Sequence, residues 1–495
     1  MGQKPAVHLN RQSLGTLAGR IAVPQYDRSA LQSSILHLGV GGFHRAHMAA
    51  YTDELLNTGR SDWCINGVGL TGADERMART LGEQNGLYTL LARGKETEEA
   101  RVVGSITDYF HAPNGAAGLC ERVAAEYYRI LSLTVTENGY CYTGDDRHLD
   151  VDHPAVAQDL KTPDNPRTAV GFVFRVAQLR IEARRPLPTF LSCDNLPHNG
   201  STLRRLVLQF ANDIDRDVEA VLAEQGRFPN CMVDRITPAT VEGDWKYVLE
   251  HWGIEDAWPV VCEDFRQWYV EDNFADGRPE WDSVGAEFVQ DVTPFELMKI
   301  RLLNGSHSAL AYMSYLLGFR RVDQAMNDTD VAAFVRLYMA EIEPAVGSVP
   351  GVDLGHYQAK LVERFSNPAV GDQVVRLCED GSRKIPNMML EPIAVLAGTG
   401  GSYQHGAFAI AAWIRFLQGT DEEGRSIEIK DPNASMLNDK ANRCEHDVQP
   451  FLAMSTVFPA SLRADKGFSH AVEKWYLRIK RVGTRSAVKK LLGGE

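Results

Sequence analysis

The stretch Ser34-Ile-Leu-His-Leu-Gly39-Val-Gly41-Gly42-Phe43-His44-Arg45-Ala46-His47 decides the fold. Its apolar residues 35–38 predict a short strand that runs into a glycine turn. The residues that follow carry apolar side chains at helical spacing, and Gly59 is placed to end that helix. A strand, a glycine turn and a helix in this order are typical of an α/β fold built on a parallel sheet.

The glycine turn also indicates a dinucleotide site. Gly39 permits the tight turn, and Gly41 lets the backbone approach a pyrophosphate at the N–H groups of the helix N-terminus. The third glycine of the usual GxGxxG pattern is missing, because His44 stands there. The alternative is an ordinary glycine turn in an α/β domain. We favour cofactor binding by Gly39, Val40, Gly41, Gly42 and Phe43.

A second predicted strand, residues 63–70, bears on which dinucleotide binds. Sites that prefer NAD usually place an acid after this strand, where it binds ribose hydroxyls. Asp74 is the nearest acid, and the segment leading to it has no arginine for a 2′-phosphate, although Arg76 follows closely. We therefore predict NAD rather than NADP, the alternative being a solvated acidic loop.

Two polar residues follow later predicted strands of the first 290 residues. Asn195 comes after a strand at 189–192, which would deliver it to the carboxyl edge of the sheet, where α/β proteins form their sites. It is a candidate amide donor to an oxyanion, or simply part of an Asx turn before Pro197. Asp234 stands in an apolar setting, where it binds substrate hydroxyls or pairs with Arg235.

The other elements predicted in this part follow from local periodicity and turn residues. They are strands at 87–92, 101–106 and 130–136, a loop over 144–167, and helices at 169–184 and 201–224.

A second chemical pattern is Lys299-Ile-Arg-Leu-Leu-Asn304-Gly-Ser-His307. Its apolar spacing predicts a helix on which Asn304 and His307 share a face, with Lys299 near the same side. An ammonium, an amide and an imidazole are the groups needed to take a proton from an alcohol and hold the remaining oxygen. The alternative is a surface lysine, a turn-forming Asn-Gly pair and a core histidine.

The chain is expected to form two domains, since 495 residues are too many for one ordinary core. From about residue 293 the pattern changes to long helical segments, including 329–343, 354–365 and 407–417. We therefore predict an α/β, Rossmann-type domain over 1–290 and a mainly α-helical domain over 291–495. In the second domain Arg376 and Lys384 either reach into a cleft or are solvated.

Composition narrows the class of protein. The net charge is −13 and there is no basic block, so neither nucleic acid nor an anionic membrane is an expected partner. Eight scattered cysteines form no CxxC pair, and we predict neither a metal site nor a disulfide framework. The sequence begins without a signal-like apolar run and has no stretch of about 20 apolar residues, so we expect a cytoplasmic protein.

Taken together, these motifs resemble the polyol-specific long-chain dehydrogenase/reductase family. The matching stretches fall in the family's order along nearly the whole chain, and are 39–47, 136–140, 192–196, 233–238, 299–307 and 383–386. The resemblance implies a Rossmann-type domain, a helical domain, a site between them, no metal, and a monomer. It further implies hydride transfer between NAD and a polyol or ketose, with D-mannitol and D-fructose as the expected pair.

The resemblance also implies roles for individual residues. Lys299 would be the general base, and Asn195 and Asn304 would form the oxyanion hole. The residues that would contact the polyol are Asp234, His307, Arg376 and Lys384. An unperturbed lysine, with a pKa of about 10.4, is protonated near neutral pH, so burial and nearby positive charge would have to lower the pKa of Lys299.

Three alternatives remain open at this stage. The first is the same fold with another substrate, such as a hexuronate or arabinitol. The second is a non-catalytic NAD-binding protein, against which the intact Lys299, Asn304 and His307 argue. The third is a scaffold protein, for which a linker-poor acidic sequence gives no support.

Overall fold

The computed structural model describes residues 5–144 and 147–493, which form two compact units. The first unit ends at Val292 and the second begins at Thr293. The first unit alternates strands and helices, whereas the second is mainly helical. The predicted fold class, α/β followed by a mainly helical part, is therefore confirmed.

The first unit contains fifteen strands among its described residues. They are β1 (Val7–His8), β2 (Gln32–Leu38), β3 (Trp63–Gly69), β4 (Tyr88–Arg93), β5 (Glu98–Val103), β6 (Ile106–His111), β7 (Ile130–Leu133), β8 (Tyr142–Thr143), β9 (His148–Leu149), β10 (Thr189–Ser192), β11 (Cys231–Asp234), β12 (Ile254–Glu255), β13 (Val260–Glu263), β14 (Gln267–Glu271) and β15 (Glu287–Val289).

Ten α-helices belong to the same described part. They are α1 (Leu14–Leu17), α2 (Gly42–Ala46), α3 (Met48–Asn57), α4 (Glu75–Glu83), α5 (Ala117–Ala125), α6 (Pro154–Lys161), α7 (Ala169–Glu182), α8 (Asn199–Ile214), α9 (Arg216–Gln225) and α10 (Glu242–Trp252). Short 3₁₀ turns occur at Arg11–Ser13, Gly72–Asp74, Glu137–Tyr140 and Trp281–Val284.

A five-stranded parallel sheet forms the centre of the first unit, with the strand order β10-β7-β2-β3-β6. Along the chain the sheet grows from β2 to β3 and β6, then continues on the other side of β2 with β7 and β10. The strand order therefore reverses between β2 and β7. In open α/β sheets a ligand binds beyond the carboxyl ends of the strands at this point.

Both faces of the central sheet are buried, as is usual for a parallel sheet. Because successive side chains of a strand point to opposite faces, neighbouring residues belong to different cores. Ile35 and Ile65 belong to the core that includes α3, whereas Leu36 and Leu131 belong to the core that includes α7 and α8. Burial of apolar side chains on both faces holds β2 in place, and therefore also the turn that joins β2 to α2.

Smaller sheets complete the first unit. The sheet β13-β4-β5 contains the strand predicted at 87–92, and the sheet β11-β14-β15 contains the strand that ends in Asp234. Two two-stranded pairs, β1 with β12 and β8 with β9, lie outside these sheets. Asp234 is therefore carried by a different sheet from Asn195, which follows β10.

Three local predictions for the first unit are wrong, and capping or glycine explains each. The predicted loop 144–167 contains α6, which begins at Pro154 and is capped by the His153 side chain; its residues 145–146 lie outside the described part. The predicted helix 201–224 is two helices, because the Asp215 side chain accepts from the N–H groups at the start of α9. The predicted strand 101–106 is divided between β5 and β6 near Gly104.

The second unit contains thirteen α-helices among its described residues. They are α11 (Thr293–Met298), α12 (Gly305–Leu316), α13 (Val322–Met326), α14 (Thr329–Val346), α15 (Leu354–Phe365), α16 (Val374–Cys378), α17 (Gly381–Ile385), α18 (Glu391–Thr399), α19 (Gln404–Phe416), α20 (Ala434–Asn442), α21 (Gln449–Leu452), α22 (Ala460–Ala464) and α23 (Lys466–Leu491). Two π-helical turns, π1 (Lys299–Asn304) and π2 (Pro386–Leu390), join consecutive helices.

The regular helix predicted over 299–312 is wrong in its first part. Residues 299–304 form π1, in which the N–H of Gly305 bonds the carbonyl oxygen of Ile300, five residues earlier. The α-helical part begins only at Gly305. Among the described residues, every helix of either unit is too short or too polar to cross a membrane.

Candidate active site

The first position of the glycine turn after β2, Gly39, has room for glycine only. Gly39 has φ +84°, and a Cβ on it would lie 2.2 Å from the carbonyl oxygen of Thr134. Thr134 follows β7, so the turn packs directly against the strand on the other side of the switch point. The Thr134 hydroxyl also donates to the carbonyl oxygen of Gly39 over 2.8 Å. The turn predicted from sequence is thus held where a ligand of the sheet would bind.

The start of α2 is open to a ligand. Gly41 is exposed, and a Cβ on it would meet no atom within 4 Å. Within the described residues, no side chain caps the helix at Gly41. Val40 is buried below the turn, and the Phe43 ring stacks on His47 with 4.9 Å between centroids. This uncapped start, reached through a glycine backbone, fits a dinucleotide pyrophosphate.

His44 occupies the position of the third glycine of the GxGxxG pattern, and its side chain makes a stacking contact with the strand before the turn. Its ring lies 3.4 Å from that of His37 on β2, with an angle of 15° between the planes. Burial lowers the pKa of His37 to about 3, and burial together with the neighbouring histidines also depresses the pKa of His44. Two flat, neutral rings therefore provide the close contact of helix and strand that a third glycine usually allows.

Asp74 lies at the carboxyl end of β3. A Cβ on Gly69, the last residue of that strand, would lie 2.4 Å from the Cβ of Asp74. The Oδ2 of Asp74 accepts from the backbone N–H of Thr71 over 2.9 Å and from its hydroxyl over 2.8 Å. Asp74 thus stands where an adenosine-ribose acid is expected, and it also stabilises its own turn.

Asp194 lies beside Asn195 after β10, where the predicted strand at 189–192 would deliver it, but the sequence indicated no role for it. It is buried, and it accepts from the backbone N–H groups of Val135 and Thr136 over 3.1 and 2.8 Å. Its Oδ2 also accepts from the Tyr140 hydroxyl over 2.7 Å. Thr136 has φ +62°, a conformation that costs free energy in a non-glycine residue, and these bonds hold it there.

The burial of Asp194 has an electrostatic consequence. Desolvation raises the pKa of Asp194 to about 6, although hydrogen bonds from Tyr140 and two backbone N–H groups oppose the rise. The neighbouring Asn195 is exposed, directly after this anchored carboxylate. The Cys-Asp-Asn run after a predicted strand made Asp194 visible in the sequence. Its hydrogen-bond partners on the 135–140 loop could not be identified from the sequence.

Asp234 is buried at the end of β11. Its neighbour Arg235 donates to the carbonyl oxygens of Glu263 and Ala46 over 3.0 and 2.6 Å. Those bonds tie β11 to α2, so Arg235 has a structural role of its own. A role for Asp234 toward a substrate stays a prediction.

Lys299 is buried in the second unit, with 6% of its surface exposed, and it is the one lysine among the described residues that is buried. In an α-helix, five residues turn by about 500°, so Lys299 and Asn304 would lie about 140° apart. A π-turn pairs residue i with i+5 and returns them to one side. The turn π1 therefore places Lys299 and Asn304 on a common face, and His307 follows three residues later in α12.

Asp372 connects His307 with Arg376, and the sequence did not indicate it. The Arg376 guanidinium donates two hydrogen bonds to Asp372, over 2.8 and 2.6 Å. Burial alone would raise the pKa of Asp372, but Arg376 and, more weakly, His307 bring it below its usual value. The His307 ring packs on Phe365 with 4.2 Å between centroids. Asp372 thus interacts with both His307 and Arg376, and the contact of either residue with a polyol stays a prediction.

Lys384 lies in α17, close to the same charges. Burial lowers the pKa of Lys384, Arg376 lowers it further, and Asp380 opposes both. The structure therefore groups three residues predicted for the helical part, His307, Arg376 and Lys384, by their electrostatic contacts.

The two π-turns contact each other. A Cβ on Gly305 would lie 2.8 Å from the carbonyl oxygen of Met388 in π2 and 3.0 Å from the Tyr338 hydroxyl. The Ser308 hydroxyl lies 3.8 Å from the Met388 sulfur. The position of π1, and with it Lys299 and Asn304, is therefore set by close backbone packing against π2.

The two units offer different chemical groups, those of the first suited to binding a dinucleotide and those of the second suited to exchanging a proton. The first unit offers an uncapped helix start and an acid beyond the second strand, which together fit a dinucleotide. The second unit offers a buried amine, an amide and an imidazole along one helix face. Among the described residues, no three His, Cys, Asp or Glu side chains are grouped closely enough to hold a metal ion.

A Rossmann-type unit with its glycine turn at the switch point, followed by a helical unit, defines a two-domain protein of the dinucleotide-binding class. The family model of the mannitol dehydrogenase Rossmann domain matches residues 33–283, and that of the mannitol dehydrogenase C-terminal domain matches residues 291–480. The chain belongs to the mannitol dehydrogenase family. The resemblance recognised in its motifs is thereby confirmed.

Individual relatives agree over nearly the full length. Mannitol 2-dehydrogenase of Aspergillus oryzae is 38% identical, over 98% of this chain and 99% of its own. D-mannonate oxidoreductase of Escherichia coli is 39% identical, over 94% of this chain and 97% of its own. The Pseudomonas fluorescens mannitol 2-dehydrogenase, solved as a ternary complex with NAD and D-mannitol, is 41% identical with a TM-score of 0.88, covering 99% of this chain and 100% of its own.

Proposed function

We propose that this chain is an NAD-dependent polyol dehydrogenase that interconverts D-mannitol and D-fructose without a metal, with Lys299 as the acid/base. The observation that carries the proposal is the buried Lys299 on a π-turn that it shares with Asn304. NAD is supported by the glycine turn at the switch point and by the relative whose structure contains NAD and D-mannitol. The first unit would bind NAD, and the second would supply the acid/base.

Oxidation of an alcohol at C2 requires a base for the hydroxyl proton and donors for the charge that grows on the oxygen. When bound, NAD supplies the hydride acceptor. Lys299 must be neutral to accept the proton, and burial favours its neutral form because the ammonium loses hydration. In the reverse direction the protonated Lys299 returns the proton to the carbonyl oxygen.

The remaining residues would bind and orient. We assign Asn304 and Asn195 as amide donors to the C2 oxygen, where the loss of one such donor typically lowers kcat by about 10²- to 10³-fold. Hydroxyl contacts are assigned to Asp234, His307, Arg376 and Lys384. We further propose that the enzyme is a cytoplasmic monomer, and sedimentation equilibrium tests its oligomeric state.

A sugar acid is the second candidate substrate. The Escherichia coli relative is named for D-mannonate, which carries a carboxylate, and Arg376 and Lys384 are two cations whose charges affect each other and suit such a group. Initial rates with mannitol, arabinitol, fructose and fructuronate, each with NAD(H) and NADP(H), separate these substrates. Tight NADH binding without turnover of any of them would instead support a non-catalytic NAD-binding protein.

The first prediction concerns Lys299→Ala. Its kcat for mannitol oxidation should fall by at least about 10²-fold, because general base catalysis is lost. NADH affinity, measured by fluorescence titration, should change little, since the glycine turn belongs to the other unit. The wild-type rate should rise with pH as Lys299 loses its proton, and this rise should be absent from the variant.

The matched comparison is His307→Ala, which alters the other ionisable group on the same helix face. It should raise KM more than it lowers kcat, and it should keep the pH-dependent rise. If His307→Ala abolishes the rise while Lys299→Ala preserves it, the acid/base assignment is reversed and the proposed mechanism is wrong.

A further inference from the structure

A cavity of about 670 Å³ lies in the second unit between the start of α19 and helix α23, among residues to which we have assigned no role. Its apolar lining comes from Trp475, Leu477 and Leu491. The basic side chains of its lining are His405, Lys474, Arg478, Arg481 and Lys490. Among the residues that the structure describes, the lining contains no acidic side chain.

A break in α23 brings the basic groups to one cavity. Gly483 has φ +80° and ψ 160°, so the helix changes direction between the segment with Arg478 and Arg481 and the segment with Lys490. The Glu422 carboxylate accepts from the backbone N–H of Thr484 over 2.6 Å, which caps the second segment. The kink is thus fixed by a specific contact.

The charges of this cavity lack the partners that other cations of the helix have. Arg485 pairs with Asp328 and Asp330 over 2.7 and 3.1 Å. Within the described residues, no carboxylate lies within ion-pair distance of the cavity residues Lys474, Arg478, Arg481 and Lys490. Lys474 lies over the Trp475 ring at 4.7 Å, a contact that leaves its charge uncompensated. In a chain with a net charge of −13, four cations that have no carboxylate partner among the described residues repel one another around this cavity and attract an anion.

Two buried nitrogens of the lining strengthen this argument. The Nε of Arg478 and the Nε2 of His405 are shielded from solvent and have no hydrogen-bond partner among the described residues. The Nδ1 of His405 is instead bonded to Glu341 over 2.9 Å, and Glu341 is almost fully buried. The Nε of Arg478 always carries a hydrogen, so this buried donor without a partner is costly and a bound acceptor would stabilise it.

We propose that this cavity binds a small molecule carrying two or more phosphate groups. Guanidinium groups match phosphate oxygens in geometry and charge, and two of them with two ammonium groups neutralise several negative charges. The volume lies in the range of small-molecule sites, and the apolar wall accommodates a carbon skeleton. A concave cavity on an acidic chain favours a small anion over nucleic acid or an anionic membrane.

Isothermal titration of the full chain with inorganic tripolyphosphate and with 2,3-bisphosphoglycerate tests the proposal. We expect saturable binding of at least one anion, with affinity that falls steeply as salt is raised. The double variant Arg478→Gln/Arg481→Gln should weaken binding at least about tenfold, which also distinguishes this cavity from the glycine turn. The preference between the two probes tells whether an inorganic or an organic phosphate is the better ligand.

Lys489→Gln is the matched control, because Lys489 is exposed on the same helix but does not line the cavity. It should bind both anions like the wild type. Lys490→Gln provides a second, milder variant should the double variant misfold, as judged by circular dichroism, and it should weaken binding several-fold. The proposal is overturned if neither anion binds, if Lys489→Gln weakens binding as much as the cavity variants, or if DNA or anionic vesicles bind this cavity more tightly than both probes.

Discussion

Burial separates the cations proposed for the site of the second unit into two kinds. Lys299 is 6% exposed, and its proposed role as acid/base rests on this burial. The Arg376 side chain is 56% exposed and held by the partly buried Asp372, whose hydrogen bonds stabilise the charged guanidinium. The first environment suits proton transfer, whereas the second suits the fixed orientation of a polar substrate group.

The second prediction concerns Asp74 and the choice of dinucleotide. Asp74→Asn removes the negative charge but keeps an oxygen that can accept from Thr71. The NADP/NAD ratio of kcat/KM should therefore rise by about tenfold, corresponding to roughly 1.4 kcal/mol less repulsion of a 2′-phosphate. Glu75→Gln, at the exposed neighbouring acid, should leave the ratio nearly unchanged. A wild type that prefers NADP would remove the role assigned to Asp74.

The third prediction follows from the pKa of Asp194, which burial raises to about 6. In the unfolded chain an aspartate has a pKa of about 3.9, so between these values the native state binds more protons than the unfolded state. The contribution of Asp194 to stability is therefore largest below pH 4 and decreases as pH rises to about 6. A difference of about two pKa units corresponds to roughly 3 kcal/mol.

Urea unfolding of wild type and Asp194→Asn from pH 4 to 7 measures this contribution. The free energy of unfolding of the wild type, relative to the variant, should decline across that range. A difference between the two proteins that is independent of pH would show that Asp194 keeps an ordinary pKa.

At the scale of elements, the π-turn π1 replaces the first part of the regular helix predicted over 299–312, and a second π-turn, π2, packs against it. The turn π1 brings Lys299 and Asn304 to one face, and π2 supplies the carbonyl oxygen of Met388 that Gly305 packs against. Extra residues in a helix cost stability and persist where they are supported, often at functional sites. Here the support is the close contact of one π-turn with the other.

The fourth prediction is that Gly305→Ala disturbs this contact. The added Cβ would lie 2.8 Å from the Met388 oxygen, so π1 or π2 must move. We expect a loss of about 1–3 kcal/mol in unfolding free energy, as for overpacking in a core. The kcat should fall more than NADH affinity, because the displaced residues belong to the second unit.

Gly398→Ala is its control, since Gly398 lies in α18 and a Cβ there would meet nothing within 4 Å. This change should keep activity and raise stability by up to about 1 kcal/mol, because alanine is the better helix former. Equal losses in the two variants would mean that the glycine substitution itself, rather than the contact with π2, is responsible.

How much of these elements could be predicted depends on the range of the interactions that form them. The strand, glycine turn and helix at 35–57 follow from local signals, and the structure has β2 and α3 there, although the helix breaks at His47. The turn π1 could not be predicted, because its sequence reads as ordinary apolar helix and the deciding contact comes from Met388. The role of Asp194 was missed for the same reason, since its partners Val135, Thr136 and Tyr140 come from a distant segment.

At the scale of the whole molecule, the proposed chemistry is divided between two units that the sequence also separates by composition. The dinucleotide features belong to the unit that ends at Val292, whereas Lys299 and the phosphate-binding cavity belong to the unit that begins at Thr293. The net charge of −13 does not describe the electrostatic potential at the cavity, because several cationic side chains line it. Each ligand should therefore stabilise mainly the unit that binds it.

The last prediction tests this division by hydrogen exchange on the full chain. At a free NADH concentration of 100 times Kd, binding stabilises the competent state by about 2.7 kcal/mol, which slows exchange through unfolding by about 100-fold. This slowing should concentrate in the first unit, with β2, α2 and the 134–140 segment among the most affected. Tripolyphosphate at a matched ratio should instead protect α19 and α23. Equal protection of both units by either ligand would contradict this division and show that the chain unfolds as a single cooperative whole.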